Sequence, residues 1–171
     1  AIKSATVGNY ALFGGGRGNN ETDDVDAYNT SLVHTIATPL TYPTFDMAAT
    51  SVGNYALFAI SNNPSVNAYD TSLTRSITTA LSANRYAIGA THIGNYALFA
   101  GGQSNKNSDV VDAYDTSLTR IIPMGLSSKA RGLAGTPIGN YALFAASIAN
   151  AYDTSLTRII PMSLSVSRQT L

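Results

Sequence analysis

The chain has 171 residues, of which 44% are apolar and 12% charged, and its ten basic and ten acidic side chains leave no net charge. Nucleic-acid-binding proteins usually carry a basic excess, so this balance disfavours that class. The absence of cysteine excludes disulfides, thiolate metal sites and a cysteine nucleophile. No segment approaches the roughly 18 consecutive apolar residues of a membrane-spanning helix.

Two short motifs recur in a fixed order along the chain. The string Gly-Asn-Tyr-Ala-Leu-Phe begins at Gly8, Gly53, Gly94 and Gly139. Each copy is followed by Ala-Tyr-(Asn/Asp)-Thr-Ser-Leu, whose tyrosine is Tyr28, Tyr69, Tyr114 or Tyr152. The first string therefore recurs after 45, 41 and 45 residues. This regular spacing indicates that one supersecondary unit has been copied along the chain.

Each repeat begins with two predicted strands, which we call a and b. In the unit that follows Leu126, residues 130–138 are small and apolar, which predicts strand a. Gly139-Asn140 has the composition of a two-residue hairpin turn with positive φ. Strand b is then Tyr141-Ala-Leu-Phe-Ala-Ala, whose two faces are both apolar. Such a strand is expected to lie between two neighbouring sheets.

Two further predicted strands, c and d, complete the unit. After a variable polar loop, residues 149–152 form strand c, and Asp153-Thr-Ser form a turn in which the side chains bond to their own backbone. Residues 156–160 form strand d, which Pro161 ends. Repeats of this length with four strands are typical of propeller blades.

The repeats resemble the kelch repeat over essentially the whole chain. Pro123-Met124, Arg131, Tyr141-Ala-Leu-Phe and Tyr152-Asp153 follow the order of a kelch blade, and glycine doublets occur at Gly14-Gly15 and Gly101-Gly102. The chain departs from the pattern because it has no tryptophan, and Ala59-Ile60 and Ala145-Ala146 replace the other doublets. The late tryptophan position is taken by His34, Arg75, Arg120 and Arg158. The resemblance implies a kelch-like propeller of the bacterial or phage type.

We therefore expect an all-β fold, a β-propeller of four four-stranded antiparallel blades. One domain would cover residues 1–171, with blades at about 1–41, 42–81, 82–126 and 127–164. Residues 165–171 would start a further strand or close the ring. We favour a closed ring of four, and the alternative is a segment or half of a larger propeller, completed by a second copy. Because the sequence opens at Ala1 within a repeat, we also expect an excised piece of a longer protein.

Residues that differ between the copies are the best candidates for ligand binding. By resemblance to kelch propellers, the basic position at the start of strand a opens onto the central mouth. Arg85 and Arg168 occupy this position and Arg131 flanks it, with Tyr42 and Tyr86 nearby. These side chains could ring a pocket that accepts carboxylates or sugar hydroxyls. The alternative is that they are solvated residues at strand starts.

The repeated polar residues have simpler interpretations. Equivalent turn positions hold Asp70, Asp115 and Asp153, which indicates turn capping rather than acid catalysis. Charged residues on the outermost strands discourage edge-to-edge pairing, and these are Arg75, Arg120 and Arg158. The acidic residues Glu21, Asp23, Asp24 and Asp26 are expected to form a solvated loop. The two histidines, His34 and His92, lie in different repeats and imply no metal site.

We expect a non-enzymatic binding module that presents variable loops to a glycan or protein ligand, without a cofactor. These b–c loops, which join strands b and c, are residues 16–24, 61–65, 102–109 and 147–149. The alternative is a purely structural scaffold or an oligomerising segment, with a homodimer as one form. A hydrolase using Glu21, Asp24 or Asp46 is less favoured. The weakly charged, hydroxyl-rich composition suits an extracellular, cell or virion surface, and this chain shows no targeting segment.

Overall fold

A computed structural model of the chain describes residues 1–160 and 163–165, and these contain sixteen β-strands. The first two sheets contain β1 (Lys3–Val7), β2 (Tyr10–Gly14), β3 (Val25–Asn29), β4 (His34–Ile36), β5 (Ala48–Val52), β6 (Tyr55–Ala59), β7 (Val66–Tyr69) and β8 (Arg75–Thr78). The other two contain β9 (Gly89–Ile93), β10 (Tyr96–Ala100), β11 (Val111–Asp115), β12 (Arg120–Ile121), β13 (Ala134–Ile138), β14 (Tyr141–Ala145), β15 (Ala149–Asp153) and β16 (Arg158–Ile159). No helix within these described residues could span a membrane.

The sixteen strands form four separate antiparallel sheets, each built from four consecutive strands in chain order. The predicted all-β fold of four four-stranded blades is therefore confirmed, and we number the blades 1 to 4 along the chain. Strands β1, β5, β9 and β13 are the first strands of the blades, and they contact one another in that succession. Together with Ala11 and Phe13 of β2, these strands line a cavity of about 310 Å³.

The hairpin turns follow the predicted chemistry. The first residue of each a–b turn has a φ between 50° and 53°, a left-handed conformation that only glycine adopts without strain, and these residues are Gly8, Gly53, Gly94 and Gly139. In the last unit, strand β13 begins four residues later than predicted. The reason is that Ala130 pairs with Ser108 in the b–c loop of blade 3 and not with β14.

The turns between strands c and d are capped by their aspartates, as predicted. The Oδ1 atom of Asp70 accepts hydrogen bonds from the amides of Ser72 and Thr74, at 2.9 and 3.0 Å. The Ser72 hydroxyl and these amides hold the pKa of Asp70 below its usual value. Leu73 completes the turn with a φ of 62°. These aspartates therefore stabilise turns, and the repeated motif reflects that role.

In the described part of the chain the hydrophobic core consists of three clusters, each between two neighbouring blades. One face of a blade presents a phenylalanine and a tyrosine, packed edge to face, as in Phe99 and Tyr114 of blade 3. This face packs on the preceding blade, where Leu57 and Val52 lie in the same cluster. Since every sheet has two apolar faces, each blade needs a neighbour on both sides.

Two kinds of hydrogen bond between blades recur beside every core cluster of the described residues. The buried tyrosine hydroxyl donates to a carbonyl of the preceding blade's outgoing segment, over 2.7–2.9 Å, and the pairs are Tyr69–Thr38, Tyr114–Thr79 and Tyr152–Met124. An amide three residues beyond that carbonyl donates to a side chain on strand c, over 2.8–2.9 Å, and the pairs are Thr41–Asn67, Ser82–Asp112 and Ser127–Asn150.

The closed ring of four that the sequence favoured is not present among the described residues. Strands β1 and β13 have no contact comparable to those between successive blades. Phe13 of blade 1 is 41% exposed, whereas its equivalents in the other blades are fully buried. Ile138 of blade 4 is 63% exposed. The two end blades therefore each leave one apolar face uncovered.

The inter-blade packing can be tested with Phe99→Ala. Because Phe99 is fully buried, we expect its truncation to lower the free energy of unfolding by about 3–5 kcal/mol. Ile77→Ala is the control, since Ile77 is exposed on an outer strand and should cost less than about 1 kcal/mol. Urea denaturation followed by circular dichroism measures both, and equal losses would contradict this account of the core.

Alkaline pH should destabilise the blades. Burial raises the pKa of Tyr152 to about 12. An unfolded phenol ionises near pH 10, so between about pH 10 and pH 12 the unfolded state binds fewer protons and stability falls as pH rises. Urea midpoints measured across this range should fall less steeply for Tyr152→Phe than for the unmodified chain. Identical slopes for the two proteins would show that Tyr152 does not contribute.

Candidate binding site

The b–c loops and the segments between blades, which vary most in sequence, lie at one end of the blade array. Strand β2 runs antiparallel to β1, so that the start of β1 lies beside the end of β2, as the pairing of Lys3 with Gly14 shows. The same register holds in the other blades. The b–c loops and the segments that join one blade to the next therefore lie at the same end, which we call the mouth.

The mouth contains a cavity of about 420 Å³. Four polar or charged side chains line it, namely Lys3, Asp46, Tyr86 and Arg131, together with Ala87, Ile88, Gly132, Leu133 and Ala134. The charged groups come from three different blade starts, which the repeat places around one central axis. The structure thus brings together two of the predicted residues, Arg131 and Tyr86.

Arg131 and Tyr86 are held in place by one residue of a b–c loop. The Arg131 side chain is exposed and donates a hydrogen bond from Nη1 to Oε1 of Gln103. The backbone of Tyr86 exchanges two hydrogen bonds of 2.9 Å with that of Gln103. Since a guanidinium has five N–H donors, the bond to Gln103 orients Arg131 without exhausting its capacity to bind a ligand.

Arg85 does not face the mouth, contrary to the sequence-based prediction. Its side chain is 1% exposed and donates to the carbonyl oxygens of Gly101 and Val110, at 2.7 and 2.8 Å, and to the carboxylate of Asp112. Burial lowers the pKa of Arg85, and the charge of Asp112 opposes that shift. The structural role of Arg85 is to pair with Asp112 between blades 2 and 3.

The remaining predicted residues lie elsewhere. Tyr42 is half exposed and borders a separate hollow of about 270 Å³, which also contains Glu21, Phe45 and Asn62. The structure therefore does not bring Tyr42 to Arg131. Arg168 lies outside the described residues.

The sequence interpretation did not select Lys3, and it considered Asp46 only as a possible catalytic acid. Both lie at positions where the residue type differs between the repeats. Lys3 begins strand β1, whereas the paired strand starts in the other blades are Ala48, Gly89 and Ala134. Asp46 precedes the apolar residue Met47, and its equivalents are Ala87 and Gly132. A charged side chain at a position where other blades have a small residue was the signal that could have identified Lys3 and Asp46.

The described residues contain no group of three or more histidine, aspartate or glutamate residues placed to hold an ion. Asp26 and His34 form a pair whose Oδ1 and Nε2 atoms lie 2.7 Å apart on the exposed side of blade 1. Arg120 and Arg158, predicted to protect sheet edges, donate to the carbonyl oxygens of Ala80 and Gly125 in the preceding blades.

Comparison with known proteins identifies the fold alone. No protein-family profile and no curated protein matches the sequence. Among solved structures, that of YjhT is similar, with a TM-score of 0.75 and 12% sequence identity over 98% of this chain and 71% of that one. At this identity the similarity concerns the arrangement of the blades and not the residues of the mouth.

The two arginines should respond differently to truncation. Arg85→Ala leaves the carboxylate of Asp112 buried without its main partner, and we expect a loss of about 3–5 kcal/mol in the free energy of unfolding. Arg131→Ala removes an exposed side chain and should change it by about 0.5 kcal/mol or less. Urea denaturation measures both, and Arg85→Ala with Asp112→Asn should recover part of the loss. Similar losses for the two single variants would contradict the assigned roles.

Proposed function

We propose that the chain is a non-enzymatic binding module whose mouth receives a carboxylate-bearing glycan or a protein segment of similar chemistry. The observation that supports this proposal is the convergence of Lys3, Asp46, Tyr86 and Arg131 on one cavity of about 420 Å³. Ligand sites are typically concave and combine an apolar lining with a few convergent polar groups.

The charges of the cavity favour a ligand with one negative charge. Lys3 and Arg131 contribute two cations and Asp46 one carboxylate, so that the lining has a net positive charge. A guanidinium binds a carboxylate with two parallel hydrogen bonds, and a carboxylate such as Asp46 accepts bonds from sugar hydroxyls. Tyr86 adds an aromatic surface with a polar tip, which suits the mixed surface of a sugar ring.

The b–c loops would supply specificity around this cavity. The loop of blade 3 already contacts the binding residues through Gln103, and its composition is rich in serine and asparagine. The loops differ in length and sequence while the strands barely change. Variable loops on a rigid scaffold are where binding residues are most often found.

A structural scaffold is the second candidate, and the uncovered faces of blades 1 and 4 favour it. In that case the mouth would have no ligand of its own, and the function would reside in the assembly of the blades. Binding of a soluble ligand distinguishes the two candidates, because a scaffold needs none.

Glycan-array screening followed by calorimetric titration tests the proposal. We expect binding of saccharides that carry a carboxylate, such as hexuronates, and weak or no binding of neutral hexoses. Arg131→Ala should weaken the binding about tenfold or more, because it removes a charge-assisted hydrogen bond. Lys3→Ala should weaken it in the same direction through lost charge.

The control is Lys106→Ala, which removes an exposed cation that does not line the cavity and should leave the affinity unchanged. Retained folding is checked by circular dichroism for each variant. No binding by any saccharide or peptide on the arrays, or equal losses for Arg131→Ala and Lys106→Ala, would refute the assignment of this cavity.

A further inference from the structure

The two uncovered faces of the array are complementary to each other. The face of blade 1 presents Phe13 and Tyr28, which are 41% and 39% exposed, whereas the same positions in blades 2 to 4 are fully buried against a preceding blade. The face of blade 4 presents Ile138, whose equivalents Val7, Val52 and Ile93 are buried against a following blade. Each end thus carries one half of an interface that the chain forms three times internally.

The specific contacts of the internal interfaces have the equivalent of one partner on the open face of blade 4 and the equivalent of the other on the open face of blade 1. The hairpin glycine of one blade packs on a threonine of the next, with ideal Cβ positions 3.0, 3.0 and 3.6 Å from Cγ2 in the pairs Gly8–Thr71, Gly53–Thr116 and Gly94–Thr154. A Cβ on Gly139 would have no neighbour within 4 Å. Thr30 of blade 1 is the equivalent threonine. By the same equivalence, the Ser165 amide would donate to Asp26, as the Ser82 amide does to Asp112.

A buried polar pair differs between the internal junctions. Arg85 stands four residues after Leu81 and pairs with Asp112, the second residue of strand β11. At the other two internal junctions these positions hold Thr44 with Asn67 and Ala130 with Asn150, and neither position is charged. Arginine therefore accompanies aspartate, and uncharged residues accompany asparagine.

The sequence at the two open ends has the same combination of arginine and aspartate. Arg168 stands four residues after Leu164, as Arg85 does after Leu81, and Asp26 is the equivalent of Asp112 in blade 1. The carbonyl oxygens that accept from Arg85 belong to Gly101 and Val110, and blade 1 has glycines at the equivalents of Gly101 and Gly102, with ten residues between strands b and c in both blades. Asp26 is half exposed, with His34 as its hydrogen-bonding partner within blade 1.

We propose that a second copy of this chain docks head to tail, blade 4 of one copy covering blade 1 of the other, with Asp26 accepting from the Ser165 amide as Asp112 does from that of Ser82. Head-to-tail interfaces generate a ring where the rotation closes. Propellers contain about four to eight blades, so two copies joined at both junctions would form the largest ring in that range.

Two single variants of the full chain test the direction of docking. Phe13→Asp damages the blade 1 face, and Ile138→Asp damages the blade 4 face. By light scattering, the unmodified chain should have twice the monomer mass of 17.9 kDa, and each variant alone should be monomeric. An equimolar mixture of the variants should recover the dimer mass, since one undamaged junction remains.

Circular dichroism first establishes that both variants fold. A monomeric unmodified chain overturns the proposal, because a second copy would then not cover the end faces. A dimer that the mixture fails to restore also overturns it, because the interface would then not be head to tail.

A charge reversal tests the role of Asp26 separately. Asp26→Arg should weaken dimerisation at least tenfold, because Asp26 stands where Asp112 accepts the Ser82 amide at an internal junction. Glu21→Arg is the matched control, since it reverses an exposed acidic residue of the loop that precedes strand β3. Equal weakening by the two variants overturns the assigned role of Asp26.

Discussion

The structure depends on the burial of both faces of every sheet. A strand such as Tyr96–Ala100 has apolar side chains on both sides. An isolated blade therefore has no polar face that it could present to water. Packing the blades face to face removes this exposed surface and positions the first strands around a common axis. The cavity at the mouth exists because the starts of all four blades are aligned in this way.

The interfaces combine uniform and variable parts. Tyrosine hydroxyls and linker amides make the same hydrogen bonds at each junction, whereas the polar pair beneath them alternates between arginine with aspartate and uncharged partners. Blades 1 and 3 share the glycine doublet and the aspartate, and blades 2 and 4 lack both. The repeating unit of the sequence is therefore better described as a pair of blades than as a single blade.

The sequence predicted the strands and turns well because they depend on local chemistry. Alternating apolar residues form the strands and positive-φ glycines form the turns. Both depend on residues that are close in the sequence, as at Gly139 and Tyr141. Site residues were harder, since Arg85 and Tyr86 are neighbours whose side chains point in opposite directions, one into the interface and one toward the mouth. Closure of the ring could not be predicted, because it depends on the angle accumulated over all the blades.

The near-identity of the blades has a consequence for folding. Three second strands have the same sequence, Tyr-Ala-Leu-Phe-Ala, and so cannot distinguish their own neighbours from those of another blade by side-chain chemistry. The two-residue turns that join the first and second strands favour pairing within a blade, because closing a short loop is fast and costs little entropy. Repeat proteins are otherwise prone to exchange elements and become trapped in misassembled states. Correct assembly of this chain therefore relies on the order of events during folding, with each hairpin forming before distant copies of the same strand can compete for it.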